Sequence, residues 1–278
     1  MKKYVLLLLL LLLCFFPPAR SMQGSIITLG GDVTEIVFAL GAGDRVIARD
    51  TTSEHPPQVT QLPDVGYLRL LNAEGLLSLQ PSLILASELA YPSAVLSQIS
   101  AAGIPVVTVS AAAELPAITA KVRQIAEALA LQSAAAVLVA DINRKLDAVP
   151  QTPLPVNVLF LLSHAGTAPM AAGTDTAADS LIRSAGGRNA AASFRRYRPL
   201  SAEGMIAAQP DLVVITRSGL ASLGSTGNLW QLPGLAQTPA GKHKRVLVAD
   251  DMGFLGFGLQ TPDTLHQLRE AMEAAAVL

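Results

Sequence analysis

The chain has 278 residues, 51% of them apolar, with 20 Lys and Arg against 21 Asp and Glu. That apolar share supports a full core and excludes a disordered chain. A near-neutral charge lacks the basic footprint of a nucleic-acid binder, and a single cysteine, Cys14, excludes a disulfide framework or a cysteine-ligated metal.

Residues 1–21 read as an export signal: Lys2 and Lys3 give the charged start, Val5 to Phe16 the apolar run, and Ala19-Arg20-Ser21 a small-x-small cleavage site. The run is about 12 residues, short of the roughly 20 that span a bilayer as a helix. Leu11-Leu12-Leu13 ahead of Cys14 offers a lipoprotein alternative. Leu13 is bulky where that signal takes a small residue, so the reading is a free, periplasmic-type protein. Cleavage takes the basic count from 20 to 17 against 21 acids, a mature charge of about −4, and removes the only cysteine.

The remaining residues divide into an N-terminal α/β lobe (22–114), a linking helix (115–149) and a C-terminal α/β lobe (150–278). Ile26–Leu29 is a buried-type strand, followed by a helix from Asp32 or Thr34 to Leu40 that Gly41 stops. Arg45–Ala48, Leu83–Ala86 and Val106–Val109 are further strands, with a helix over 92–102 ending at Gly103. The alternation predicts a parallel sheet with helices on both faces. From Leu115 to Asp147 there is no glycine, and the apolar positions keep helical spacing, which predicts one long helix with a break near Gln132-Ser133. The second lobe restarts at Val156–Leu162, continues with a helix over 176–185, strands at Leu212–Thr216 and Arg245–Ala249, and closes with a helix over 262–275. The fold class is therefore α/β: two Rossmann-like lobes with central sheets, joined by one long α-helix, with a ligand cleft between them. A helical link implies limited hinge motion.

One stretch occurs twice. Residues 66–84 (GYLRLLNAEGLLSLQPSLI) and 195–213 (RRYRPLSAEGMIAAQPDLV) align without a gap, matching at Arg69/Arg198, Glu74/Glu203, Gly75/Gly204, Gln80/Gln209 and Pro81/Pro210 among others. A repeat this far apart means two similar lobes, not a solenoid of short units, and a cleft between lobes is where a small ligand binds. Under this alignment Tyr67 maps to Arg196, so Arg195, Arg196 and Arg198 surround Tyr197 on the lip facing Tyr67.

The signal, the opening ITLGGDVTEIVFALGAGDRVIARD, the paired AEG…QP segments and the link resemble the substrate-binding proteins of metal-chelate ABC importers, which take up haem, cobalamin and ferric siderophores. DVGYLRLLNAEG, FLLSHAGTAPMAAG and DDMGFLGFGLQTP are similar to the haem-binding branch. The resemblance covers the whole mature chain. It implies a periplasmic carrier of haem b, one molecule or two. Tyr67 would be the axial oxygen ligand to iron, and His164 the ligand of a second haem. It also implies an importer permease dimer with its ATPase as partner, an outer-membrane haem receptor upstream, and one exposed glutamate per lobe, Glu74 and Glu203, engaging the permease.

The residues themselves are consistent with this. A phenolate is a hard anionic donor suited to ferric haem. On an extended segment Arg69 lies on the same face as Tyr67, where its charge favours the ionised phenol. His164 follows an apolar strand, and strand ends line ligand crevices in open α/β folds. Arg196 and Arg198 suit haem propionates, which arginine pairs in fork geometry. Asp250-Asp251 are read as closing a cleft loop with Phe254 and Phe257, whose rings would face a porphyrin. Gly30-Gly31 and Gly41-Ala42-Gly43 do not form a dinucleotide loop. The four histidines, 55, 164, 243 and 266, lack the close pairing of a free-metal site, and no nucleophile elbow surrounds Ser163. Two other readings stay open: a carrier of a ferric siderophore or cobalamin, and a secreted α/β enzyme acting in the cleft.

Overall fold

A computed structural model describes residues 24–164 and 166–276. The export signal, with Cys14, lies outside the described residues. In the first lobe the short apolar runs form β1 (Ile26–Leu29), β2 (Val46–Arg49), β3 (Leu83–Ser87) and β4 (Val106–Val109), an all-parallel sheet in the order β2-β1-β3-β4. Alternate side chains of the central strands enter different cores. Ile26 and Leu85 face one; Ile27, Leu29, Ile84 and Ala86 face the other. A sheet covered on both faces needs apolar residues at successive positions, which is why these strands read as continuous apolar runs. Helices α1 (Gly31–Ala39), α2 (Ala73–Ser78) and α3 (Ser93–Ala101) complete the lobe.

The stretch predicted as a linking helix with a break near Gln132-Ser133 forms two helices, α4 (Leu115–Leu129) and α5 (Gln132–Asp147). The break falls at Ala130, whose φ of 57° ends α4 in the left-handed region, with Leu131 outside both helices. Apolar residues of both helices enter a core shared with the two lobes: Ile118, Val122 and Ile125 from α4, Val139 and Ile142 from α5, beside Ile36 of the first lobe and Leu265 of the second. One continuous core across the junction restrains lobe motion more than a covalent link alone.

The second lobe carries β5 (Asn157–Leu162), β6 (Met170–Ala172), β7 (Arg188–Asn189), β8 (Tyr197–Pro199), β9 (Leu212–Thr216) and β10 (Val246–Ala249). The sheet order is β10-β9-β5-β6-β8, with β7 on β5. This sheet is mixed, where the first lobe's is all parallel: β6 pairs antiparallel with β5 and with β8. Both added strands are three residues long, too short to show a period of two. Its helices are α6 (Ala177–Ser184), α7 (Ala202–Ala208), α8 (Arg217–Leu223), α9 (Thr226–Trp230), α10 (Pro239–His243), α11 (Asp251–Leu255) and α12 (Thr261–Ala276). None of the described helices is long and apolar enough to cross a membrane.

The sequence repeat is a structural repeat. In each lobe the Ala-Glu-Gly segment opens a short helix, α2 or α7, that leads into the strand beside the lobe's first strand, β3 beside β1 and β9 beside β5. Gln80 and Gln209 both take positive φ, 49° and 41°, and each precedes a proline. A left-handed residue followed by proline is an efficient helix stop, which accounts for the doubled Gln-Pro.

Polar groups reinforce the junction between lobes. Lys121 of α4 is 1% exposed in its side chain, and its Nζ donates to Asp32 Oδ2 at 2.6 Å and to the carbonyls of Gly256 and Phe257 at 2.9 and 3.1 Å. All three ammonium protons are thus satisfied, and one buried cation ties the first lobe to the second. Nearby, Glu35 of α1 accepts from the backbone N–H of Leu259, while its other carboxyl oxygen is buried with no partner in the structure. Burial, opposed by the hydrogen bonds from Leu259 and Gln260 and aided by Asp32 and Asp250, pushes the Glu35 carboxyl up to about 8.

A carboxyl raised in the native state binds its proton more tightly there than in the unfolded chain. Its contribution to stability is full below about pH 4.5 and declines as pH rises toward 8, by about 1.4 kcal/mol per unit at most. Urea denaturation of wild type and Glu35→Gln at pH 5, 7 and 8.5 is expected to show the variant gaining on wild type as pH rises. Parallel profiles would contradict the assignment.

Candidate functional site

Tyr67 stands at the lip of the first lobe, 42% exposed. Its segment is held from both sides. Asp64 pairs with Arg49 at 2.7 Å and accepts the Gly66 N–H at 2.7 Å, while the Gly66 carbonyl accepts from Thr51 N–H at 3.1 Å. Gly66 has φ +90°, a conformation L side chains avoid, and an added Cβ would meet nothing within 4 Å; the glycine is there for its backbone. Residues 67–70 then close a turn, the Leu70 N–H donating to the Tyr67 carbonyl at 2.7 Å. The segment is therefore not extended, and the expectation that spacing alone aligns Arg69 with Tyr67 fails. Arg69 is exposed, and its charge acts across the cleft on the Tyr197 phenol. Burial raises the pKa of Tyr197, and Arg69 opposes that rise.

On the facing lip, β8 is an edge strand whose entry is stapled to residues 172–175. Gly173 N–H donates to the Arg196 carbonyl at 2.9 Å, Arg196 N–H to the Thr174 carbonyl at 2.8 Å, and Thr174 N–H to the Phe194 carbonyl at 2.8 Å. These bonds hold Arg196 at φ 63°. The left-handed region costs a non-glycine residue about 1 kcal/mol, and such conformations concentrate at ligand sites. The three arginines differ. Arg195 pairs with Asp175, and Arg198 lies 5.9 Å over the Phe194 ring centroid; Arg196 and Arg198 are both exposed.

His164 sits beyond the carboxyl end of β5 and is exposed; its carbonyl accepts from the N–H and hydroxyl of Thr167 at 3.2 and 3.0 Å. Glu74 and Glu203 are both exposed in the first turns of α2 and α7. Asn72 caps α2 through the Glu74 N–H at 2.8 Å, and Ser201 caps α7 through the Gly204 N–H at 3.1 Å. Asn72 and Ser201 supply these caps, and both glutamates stay exposed. The Glu203 carboxyl lies below its usual range because its own N–H and the Ser201 hydroxyl bond to it.

Phe254 and Phe257 are 0% and 1% exposed, and Phe254 stacks on Phe160 with centroids 4.8 Å apart. They are core residues, and the expectation that their rings meet a porphyrin is corrected. Gly30-Gly31 has a structural reason too. Asp50 and Thr52 bond the N–H groups of Gly30 and Gly31 at 2.8 and 3.0 Å, and a Cβ at Gly31 would lie 2.4 Å from the Thr52 carbonyl. The start of α1 is therefore closed by the chain itself.

The matching family model describes a periplasmic binding protein and spans residues 26–252. The chain belongs to the periplasmic binding protein family. Its members bind and deliver ligands and are not enzymes. This binding protein is similar to the periplasmic haem-binding protein RhuT from Roseiflexus sp. RS-1, at 40% identity and a TM-score of 0.87, covering 91% of this chain and 98% of that one. It is similar also to the periplasmic haem-binding protein BhuT, solved with two haems, at 39% identity and a TM-score of 0.85, over 91% and 99% of the two chains. The vitamin B12-binding protein of Photorhabdus laumondii is 37% identical over 81 residues, which are 29% of this chain and 30% of that protein.

Sequence reasoning missed one feature of this binding protein. His55, on the loop after β2, places Nε2 3.0 Å from Asp250 Oδ2, and Arg217 of α8 reaches the same oxygen at 3.3 Å. Asp250 also caps α11 through the Gly253 N–H at 2.8 Å. The pair joins the two lobes across 195 positions of sequence, and only the fold brings it together.

Proposed function

We propose that this binding protein captures haem b, as ferric haemin, in the periplasm and hands it to the permease dimer and ATPase of an ABC importer. The observation that carries this is an exposed tyrosine on a purpose-built turn at the cleft lip, in a chain that shares its fold and about two fifths of its residues with a haem-binding protein over nearly all its length. Tyr67 supplies the axial phenolate to iron. Arg69, Arg196 and Arg198 place cations around the cleft mouth where propionates would lie. His164, on the second lobe, is the residue on which a second haem is held. Haem reaches the protein from an outer-membrane haem receptor, and the protein works free in the periplasm without a lipid anchor. A cobalamin carrier finds support in the vitamin B12-binding relative, but over less than a third of the chain.

Glu74 and Glu203 supply pseudo-symmetric contacts to a two-subunit permease. A Glu74→Ala, Glu203→Ala variant is expected to bind haemin like wild type and to fail in haem-dependent growth; normal growth would remove the docking role. The function itself is tested by titrating the mature protein with haemin, cyanocobalamin and a ferric siderophore. Saturation by haemin alone, at one or two equivalents, supports the proposal. Tight binding of either competitor with none of haemin would replace it.

A further inference from the structure

Six large apolar side chains of the described residues are conspicuously exposed, and four of them stand on two adjoining loops of the first lobe: Tyr67 at 42%, Leu70 at 77%, Leu89 at 45% and Tyr91 at 62%. The loops are joined by backbone bonds. Tyr91 N–H donates to the Leu68 carbonyl at 2.8 Å and Leu71 N–H to the Tyr91 carbonyl at 3.0 Å. Leu68, Leu71 and Ala90 turn inward and are buried, Leu71 and Ala90 within the core behind the first sheet. Between these inward residues, Tyr67, Leu70, Leu89 and Tyr91 are left on the outer side. The loop over 88–92 leaves the carboxyl end of β3, and the charge of Arg69, in the same turn as Tyr67 and Leu70, reaches Tyr197 of the other lobe. The apolar surface therefore borders the cleft.

Four large apolar side chains exposed together on two joined loops mark an interaction surface. Cations rim it: Arg69 from within, Arg196 and Arg198 from the facing lip, all exposed. An apolar face with a cationic rim matches a flat, apolar ligand that carries carboxylates at one edge. We propose that Leu70, Leu89 and Tyr91 form the platform on which the face of the porphyrin rests, and that this platform selects planar macrocycles over compact hydrophilic chelates. This rests on the haem reading above, and it assigns binding to residues that do not touch iron.

The test separates the platform from the iron ligand by using haemin beside iron-free protoporphyrin IX. A Leu70→Ser, Tyr91→Ser variant changes only exposed positions, and its thermal melt is compared with wild type as a control for folding. Loss of two apolar side chains that the ligand would cover is expected to weaken both ligands by about tenfold or more, and by similar factors. The absorption spectrum of the residual haemin complex is expected to match wild type. Tyr67→Phe, by contrast, weakens haemin far more than protoporphyrin. Wild-type affinity of the double variant for both ligands would overturn the platform while leaving the haem reading intact. In that case loss of importer-dependent growth, or of self-association in sedimentation, would assign the patch to the permease or to a second copy. If wild-type protein binds neither porphyrin, the haem reading itself falls, and the platform with it.

Discussion

Tyr67→Phe is expected to abolish the phenolate-to-iron absorption of the haemin complex and to weaken haemin binding by about a hundredfold or more, with the fold unchanged. The substitution removes one oxygen from a side chain that is 42% exposed, so it leaves no cavity and strands no buried polar group. The turn that presents residue 67 is made by backbone bonds at Gly66 and Leu70 and by Asp64, none of which involves the phenol. Loss of affinity then reports the missing metal bond alone. Changes to groups that merely support a metal ligand lower affinity by about ten- to a hundredfold, and removing the ligand itself should do at least as much. An unchanged spectrum and affinity in Tyr67→Phe would assign the iron to another residue.

Lys121→Ala is expected to be the most damaging single change to stability, costing about 3–5 kcal/mol. The lysine is not a surface ion pair of small worth. Its side chain is 1% exposed, and its partner Asp32 is 7% exposed. Without the ammonium, Asp32 is left as a buried charge with no counter-ion, and the Gly256 and Phe257 carbonyls lose a donor. The lost stem also opens a cavity in the junction between lobes. Chemical denaturation would register the loss as a lower midpoint. A shift under about 1 kcal/mol would mean that water reaches the site and that the junction is looser than its burial indicates. Because the same cation joins α1 to the second lobe, the variant should also bind haemin less tightly, the cleft walls being less well fixed.

Much of this architecture could be read from the chain because buried parallel strands leave a strong local trace. Ile26–Leu29, Val106–Val109 and Leu212–Thr216 coincide with β1, β4 and β9. The repeat set the two Ala-Glu-Gly segments and the two Gln-Pro pairs at matching places in the two lobes. What escaped has no local trace. Strands β6 and β8 exist through edge pairing. The break in the link was expected near Gln132-Ser133, but its place at Ala130 was not, since no glycine announces a left-handed residue there. Phe254 on α11 and Phe257 just beyond it carry no local sign that both rings turn inward. The Tyr67–Arg69 geometry depended on an extended backbone that the turn at 67–70 replaces. The His55–Asp250 contact depends on the whole fold, since the residues lie on different lobes. The proposal of Tyr67 as iron ligand, by contrast, came from a family resemblance carried by short segments. The residues added to that reading an exposed position and a backbone built to present it.

The most direct measurement is the crystal structure of the mature protein saturated with haemin. The account predicts iron within bonding distance of the Tyr67 hydroxyl oxygen, a porphyrin face lying on Leu70, Leu89 and Tyr91, and propionates directed toward the arginines of the two lips. Iron bonded elsewhere in the cleft, with Tyr67 still free in solvent, would contradict it.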